Sequence, residues 1–198
     1  MRLLALDTET TGFDPRDDRW IEVAAIEAVA NDQVDVDVGC FQTLVAGDRP
    51  VPWAVRGLTG IDESQRREAP NEAHAVELVS KALARVDAVV CWNAAFDRSF
   101  VAAAFLRCGV AFPAVPWWCA LELSRARRPD LGSHRLVDVV TALGLDAGRS
   151  HRALDDARAT LAVWRALQVR PSSSSSSPSP SPSPAAPGPT TGALALFR

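Results

Sequence analysis

The chain has few of the features that assign a protein to a specialised class. No apolar run is long enough to span a bilayer and no signal peptide precedes the first apolar segment, so we expect a cytoplasmic protein with no membrane partner. The four cysteines, Cys40, Cys91, Cys108 and Cys119, lack metal-ligand spacing, which predicts reduced, partly buried thiols. Positive charge is not in excess, because the chain has 21 Lys and Arg residues and 24 Asp and Glu residues. The net charge of −3 excludes a basic coat protein for nucleic acid.

Composition divides the 198 residues into three parts. Residues 1–170 are long enough to bury one sizeable hydrophobic core. Residues 171–191 consist mainly of Ser and Pro, which predicts a disordered, extended linker that cannot bury a core. Residues 192–198 end the chain in the apolar tip Leu-Ala-Leu-Phe, which is typical of a short docking peptide. The tip either docks on another protein, docks on its own domain or has no function.

Apolar patterning of the first part predicts an α/β fold. Strands are expected over 2–7, 21–30 and 88–91, and alternation over 34–44 predicts a half-exposed strand that forms a hairpin with the second. Helical periodicity predicts helices over 72–83, 97–107, 121–127, 136–143 and 152–167. Residues 50–61 are expected to form a loop with about one helical turn. Propensity alone leaves the order of the strands open.

Two carboxylates stand together at the end of the first strand. Asp7 and Glu9 are two residues apart, so their side chains point to the same face of the strand. Like charges this close raise each other's pKa unless a cation lies between them, and hard cations such as Mg²⁺ prefer carboxylate oxygens. The pair is either part of a metal site or two solvated acids at a strand end.

Two further acidic motifs follow along the chain. Residues 91–97, Cys-Trp-Asn-Ala-Ala-Phe-Asp, connect the fourth strand to an apolar helix, and residues 151–157, His-Arg-Ala-Leu-Asp-Asp-Ala, open the last helix. In order and separation, the three motifs resemble those of the DEDDh exonucleases, whose patterns are D-x-E, N-A-x-F-D and H-x-A-x-x-D-A. The resemblance covers roughly residues 1–168, and the proofreading epsilon subunit of bacterial DNA polymerase III typifies this group.

This resemblance implies a ribonuclease H-like fold, in which helices flank a mixed central sheet. It also implies a 3′–5′ exonuclease that releases nucleoside 5′-monophosphates from DNA by a two-metal mechanism, with Mg²⁺ or Mn²⁺ as the two divalent cations. Asp7, Glu9, Asp97 and Asp156 would hold the cations. His151 would be the general base that takes a proton from the attacking water, since histidine exchanges protons near neutral pH.

The adjacent acids of the third motif leave one assignment open. Asp155 lies four residues after His151, which is the spacing of neighbours on one face of a helix. The pattern of the resembled family counts to Asp156 instead. We choose Asp156 as the ligand. We interpret Asp155 as a solvated acid in the first helical turn, where its negative charge interacts favourably with the helix dipole.

The resemblance also implies contacts with the substrate. Thr10, Gly12 and Phe13 would lie against the terminal nucleotide, where a glycine permits close backbone approach. Asn93 would orient the loop of the second motif. The implied substrate is a DNA 3′ end, single-stranded or frayed, and the implied role is replication proofreading or repair.

Some positions depart from the pattern of the resembled family. Trp92 and Arg56 stand where many of its members have histidine, which weakens any inference about substrate preference. An RNA-trimming exonuclease is therefore an alternative, and a non-catalytic recruitment adaptor is a second one. Five arginines either follow a phosphate backbone or form a solvated basic face: Arg125, Arg127, Arg128, Arg149 and Arg152.

The C-terminal tip resembles the bacterial sliding-clamp binding motif, Leu-x-Leu-Phe, without the glutamine that usually precedes it. Leu194, Leu196 and Phe197 would be the partner-binding residues. The partners implied by the two resemblances together are DNA polymerase III and the sliding clamp.

Overall fold

A computed structural model describes residues 1–30, 35–146 and 151–168, with the side chains of residues 30 and 35 left out. Several sequence-based expectations lie outside the described residues. These are the hairpin turn at 31–32, the position of Arg149, the linker over 171–191 and the apolar tip over 192–198.

A five-stranded mixed sheet forms the centre of the fold. Its strands are β1 (Arg2–Thr10), β2 (Trp20–Ala30), β3 (Asp35–Leu44), β4 (Ala88–Cys91) and β5 (Trp117–Cys119). The spatial order is β3-β2-β1-β4-β5, with antiparallel pairs from β1 to β3 and parallel pairs from β1 through β4 to β5. This architecture confirms the predicted α/β fold with a mixed sheet.

Seven helices are described within these ranges: α1 (Trp53–Thr59), α2 (Glu63–Arg66), α3 (Glu72–Leu83), α4 (Ala94–Arg107), α5 (Ala120–Arg127), α6 (Leu136–Ala142) and α7 (Ala153–Gln168). None of them is both long enough and apolar enough to cross a bilayer. The four cysteines are free thiols, and Cys40 is exposed, whereas partial burial was expected.

The side chains of β1 alternate between two helical layers. This alternation also decides which layer Asp7 and Glu9 face. Leu4 and Leu6 belong to the core cluster that contains the buried residues of α3 and α4. Ala5 packs instead with Leu161 of α7, and Leu3 shares a small cluster with Trp164 of the same helix. Odd-numbered residues of β1 therefore face α7, and even-numbered residues face α4.

Several elements differ from the sequence-based expectation, and three of the differences lie in β1, α1 and β5. β1 continues to Thr10, because Glu9 pairs with Glu22 across the sheet and a bulge then brings Thr10 opposite Trp20. Residues 53–59 form a helix rather than a single turn in a loop. Gly60 ends this helix with φ 70°, a left-handed conformation that glycine adopts without strain. β5 was not predicted, since its three residues are too short to show an alternating pattern.

Candidate active site

The acids Asp7 and Glu9 lie on the α7 side of β1, and Thr8 between them points towards α4. The Thr8 hydroxyl donates a hydrogen bond to Asp97 Oδ1 at 2.9 Å. Asp97 lies in the first turn of α4 and is 3% exposed. The end of β1 therefore presents the carboxylates of Asp7 and Glu9 on its α7 side. On its α4 side it holds the carboxylate of Asp97 through Thr8.

The start of α7 brings the third motif to the same strand end. His151 has φ 63°, and its backbone N–H donates to Asp156 Oδ2 at 2.9 Å. Glu9, His151 and Asp156 each offer a ligand atom, and these atoms all lie within 4.8 Å of one another. Asp155 instead pairs with Arg158, at 3.0 Å. This geometry agrees with the choice of Asp156 over Asp155, while the roles of these residues stay predictions.

Burial and mutual repulsion raise the pKa of these acids. Burial raises the pKa of Glu9 from 4.5 to about 8, and Asp156 adds to the effect. Burial raises the pKa of Asp97 from 3.8 to about 7, although the hydrogen bond from Thr8 lowers it. Burial is also the largest cause that raises the pKa of Asp7, followed by the charge of Asp97. The charged cluster is therefore costly for the protein to hold without a cation.

Asp156 follows the same direction. Burial raises its pKa, and the hydrogen bond from the His151 backbone partly offsets this effect. In the described part of the chain, no protein group donates a hydrogen bond to the carboxylates of Asp7 and Glu9. Unsatisfied carboxylate oxygens beside a histidine fit the ligand preferences of a divalent cation.

Two pockets meet at His151. One is lined by Glu9 and His151 together with a largely apolar set: Thr8, Thr10, Gly12, Phe13, Val55, Leu58, Thr59 and Phe96. The other is lined by Asp7, His151 and Asp156 together with Trp92, Arg135, Leu136 and Val137. The acidic cluster therefore lies between an apolar pocket and a pocket that contains an arginine.

The residues predicted to contact substrate fall into two groups. Thr10, Gly12 and Phe13 line the apolar pocket. Phe13 is 90% exposed there, and its ring and that of Phe96 form an edge-type contact with 6.3 Å between centroids. Asn93 does not line either of these two pockets. It is exposed before α4, and its side chain makes no capping hydrogen bond there.

Gly12 also has a packing role within its own loop, while its approach to the nucleotide stays a prediction. A Cβ atom at this position would collide with the carboxylate of Asp18. That carboxylate is held in place, because it accepts hydrogen bonds from the Thr11 hydroxyl at 2.9 Å and from the Asp14 backbone at 3.0 Å. Gly12 therefore leaves the space that the Asp18 carboxylate occupies in this loop.

The two departures from the family pattern also have distinct environments. Trp92 is partly buried against clusters from β1, β4, α6 and α7, and it lines the pocket next to Asp7. Arg56 is exposed on α1, and its backbone carbonyl accepts the hydrogen bond from Gly60 that closes the helix.

Two site residues were missed by the sequence reasoning. Thr8, which stands between two acids, shows no distinguishing signal in the sequence. Glu22 is the other, although a single acid within an apolar strand is a signal in itself. Arg152 was placed in the basic set, but its guanidinium binds the Glu22 carboxylate at 2.6 Å.

Comparison with known proteins assigns the chain to a family. Residues 4–164 match the RNase_T family, described as exonuclease. The chain is 30% identical over 166 residues to the PolC-type DNA polymerase III of Oceanobacillus iheyensis, and the match covers 83% of this chain and 11% of that protein. It is 27% identical over 157 residues to the 3′–5′ exonuclease DinG of Staphylococcus saprophyticus, covering 78% of this chain and 17% of that protein.

Solved structures show the same fold. Escherichia coli exonuclease I in complex with a dT13 oligonucleotide has a TM-score of 0.75 at 24% identity, over 85% of this chain and 41% of that chain. Exonuclease X in complex with 5′ overhanging duplex DNA has a TM-score of 0.63 at 23% identity, over 84% of this chain and 90% of that chain.

The fold, the acidic cluster and these matches define a DEDD-type 3′–5′ exonuclease domain. The chain belongs to the RNase_T exonuclease family. It spans only 11% of the PolC-type relative and 17% of the DinG relative, so it corresponds to a small part of those larger proteins.

Proposed function

We propose that the chain hydrolyses DNA from a single-stranded or frayed 3′ end and releases nucleoside 5′-monophosphates. The observation that supports this most is the juxtaposition of Glu9, His151 and Asp156 within 4.8 Å at the end of β1. Family membership supplies the reaction class, and the apolar pocket beside the cluster supplies a place for a terminal nucleoside.

Asp7, Glu9, Asp97 and Asp156 would hold two divalent cations, Mg²⁺ or Mn²⁺. When bound, such cations supply charge stabilisation for the attacking and leaving oxygens of phosphodiester hydrolysis. The unsatisfied oxygens of Asp7 and Glu9 and the raised pKa of the buried acids support this ligand set. Thr8 keeps Asp97 oriented through its hydroxyl.

His151 acts as the general base of the reaction. Its exposed ring borders both pockets, so it reaches a water that attacks a phosphate lying between them. The hydrogen bond from its backbone to Asp156 fixes the residue next to the carboxylates. The ring can then accept the proton of the attacking water and pass it to solvent.

The apolar pocket receives the terminal nucleoside. Phe13, Leu58 and Phe96 offer apolar surface for the base, and such stacking tolerates any base because every base has a π-face. Thr10 and Gly12 line the pocket on the side of β1. This arrangement favours an enzyme that degrades a strand without regard to its sequence.

We further propose a cytoplasmic role in replication proofreading or repair, with DNA polymerase III and the sliding clamp as partners. The polymerase name of one relative and the sequence of the C-terminal tip support this proposal. A short peptide binds weakly by itself, but a tether of about 20 residues raises the local concentration of the nuclease near the clamp.

The test of the reaction uses DNA and RNA strands of one sequence, labelled at the 5′ end, together with a circular single-stranded DNA. We expect stepwise shortening of the linear DNA from its 3′ end in Mg²⁺, no cleavage of the circle and no activity in EDTA. Asp156→Asn should be inactive, and the adjacent Asp155→Asn should keep near wild-type rates. Preference for RNA would replace the DNA assignment, and an inactive wild-type protein would favour the adaptor.

The test of the tail compares the full chain with a truncation after residue 170 and with Leu196→Ala combined with Phe197→Ala. Both variants should degrade short oligonucleotides at the wild-type rate and lose stimulation by the clamp. Equal clamp binding by the truncated and full-length proteins would contradict the docking role.

A further inference from the structure

A buried glutamate next to the acidic cluster has a different set of contacts from the other acids. Glu22 lies on β2 opposite Glu9 and is 0% exposed. Its Oε1 accepts hydrogen bonds from Arg152 Nη2 at 2.6 Å and from Gln42 Nε2 at 2.8 Å. Its Oε2 accepts from Arg152 Nε at 3.1 Å and from the Ala153 backbone at 2.9 Å.

These four contacts exclude Glu22 from the set of cation ligands. An ionised carboxylate has about four lone-pair sites, and here each is directed at a protein donor. The guanidinium binds in a two-pronged geometry, which fixes direction as well as distance. Glu22 therefore differs from Glu9 across the sheet, whose oxygens have no protein donor among the described residues.

The contacts of Glu22 hold the Arg152 side chain and the Ala153 backbone, directly after His151. His151 precedes this arginine and has a left-handed backbone conformation, which residues other than glycine rarely adopt. Ala153 follows it and is the first residue of α7. The carbonyl of Arg152 accepts the hydrogen bond from the Asp156 backbone at 2.9 Å, so it begins the helix that carries Asp156.

We propose that the Glu22–Arg152 ion pair is a positioning device, which anchors the start of α7 to the sheet and thereby orients His151 and Asp156. Arg152 is then not a contact for the phosphate backbone. The catalytic part of this proposal rests on the proposed function, because it assumes that His151 and Asp156 take part in hydrolysis.

The chain offers a matched control for the buried glutamate. Glu27 lies on the same strand, is 8% exposed and pairs with Arg2 at 3.1 Å and Arg85 at 3.2 Å. Its partners come from the start of β1 and from the residues just after α3, away from the third motif. Glu27→Gln therefore removes a buried charge without touching the start of α7.

The kinetic test compares Glu22→Gln, Arg152→Gln, their double variant and Glu27→Gln on a single-stranded oligodeoxynucleotide. A displacement of about 1 Å in catalytic groups lowers rates by about 100-fold, so we expect kcat to fall about 10–100-fold with KM within about threefold. The double variant should lose no more than the single variants, because both remove one ion pair. Arg152→Lys keeps the positive charge but not the two-pronged hydrogen bonding of the guanidinium. It should therefore recover only part of the rate that Arg152→Gln loses.

A phosphate contact would give a different result. Loss of such a contact from Arg152 would raise KM and reduce the dependence of binding on salt by about one counterion, with kcat little changed. That result would overturn the positioning role. A kcat deficit in Glu27→Gln equal to that of Glu22→Gln would also overturn it, because general loss of buried charge would then explain the effect.

A second readout is independent of activity. The protein contains three histidines, so NMR spectra of protein with isotope-labelled histidine resolve three rings. The signals of His74 and His134 serve as internal references. Arg152→Lys and Glu22→Gln should shift or broaden the His151 signal and leave the His74 signal unchanged. If the wild-type enzyme is inactive, the proposed function fails while this measurement still decides the anchoring role. An unchanged His151 signal in the folded variants would overturn it.

Discussion

Replacement of Glu9 by Gln should stabilise the protein in the absence of divalent cations while abolishing its activity. Glu9 is partly buried, and burial together with Asp156 and Glu22 raises its pKa from 4.5 to about 8. The folded state therefore holds a proton more tightly than the unfolded state. It follows that the contribution of Glu9 to stability is fully present below pH 4.5 and is lost as the pH rises through about 8. Glutamine has the same shape and carries no charge, so it escapes this loss.

The size of the gain follows from the same shift. At about 1.4 kcal/mol for each pH unit, a change from 4.5 to about 8 corresponds to at most about 5 kcal/mol of unfolding free energy. Solvent reaches part of this side chain, so we expect about 1–3 kcal/mol to be realised. For a domain of this size, that gain raises Tm by about 3–10 °C at pH 8.

Thermal unfolding followed by circular dichroism in EDTA at pH 5, 6, 7 and 8 measures this effect. The advantage of Glu9→Gln over the wild type should grow from nearly zero at pH 5 to its full size at pH 8. Added Mg²⁺ should raise the Tm of the wild type and leave that of the variant nearly unchanged. Asp155→Asn, whose acid pairs with Arg158 instead, is the control and should show no gain. A Glu9→Gln protein that is no more stable than the wild type at pH 8 would refute the reasoning.

Three further changes probe separate parts of the site. His151→Ala should lower kcat about 10²–10⁴-fold, because the variant lacks the general base. It should keep the Mg²⁺-induced rise in Tm, since the carboxylates remain. Unchanged turnover at neutral pH would contradict the role of His151. Phe13→Ala should raise KM about 5–150-fold with little change in stability, because the ring is 90% exposed and offers about 1–3 kcal/mol of stacking. An unchanged KM would exclude the stacking. Gly12→Ala should destabilise the fold by about 1–3 kcal/mol in urea unfolding, because the added Cβ meets the carboxylate of Asp18; wild-type stability would show that this loop can relax.

Local patterns were sufficient to predict the long elements of the fold. The range predicted for α3, 72–83, is the range observed, because its apolar residues recur at helical spacing and Asn71 caps its first turn. The short elements depend on tertiary contacts instead. β5 has three residues and becomes a strand because it pairs with β4. β1 extends past its apolar run because β2 provides partners up to Trp20.

The candidate site was predictable to the extent that its residues follow one another in short motifs. Asp7 and Glu9 share a strand face, and the pattern of the resembled family points to Asp156 over Asp155, a choice that stays a prediction. The environment of Gly12 was not predictable, since the atom that excludes a side chain there belongs to Asp18, and no local rule places that carboxylate.

Glu22 illustrates why the rest of the site needed a structure. In sequence it is an acid within an apolar strand, 130 residues away from the arginine that binds it. Its negative charge contributes to the raised pKa of Asp7, Glu9 and Asp156, so on electrostatic grounds alone it makes the cluster harder to charge. Arg152 offsets that charge locally and lowers the pKa of Glu9. The same ion pair joins the sheet to the start of α7, so geometry and charge at this site depend on one contact that no short motif contains.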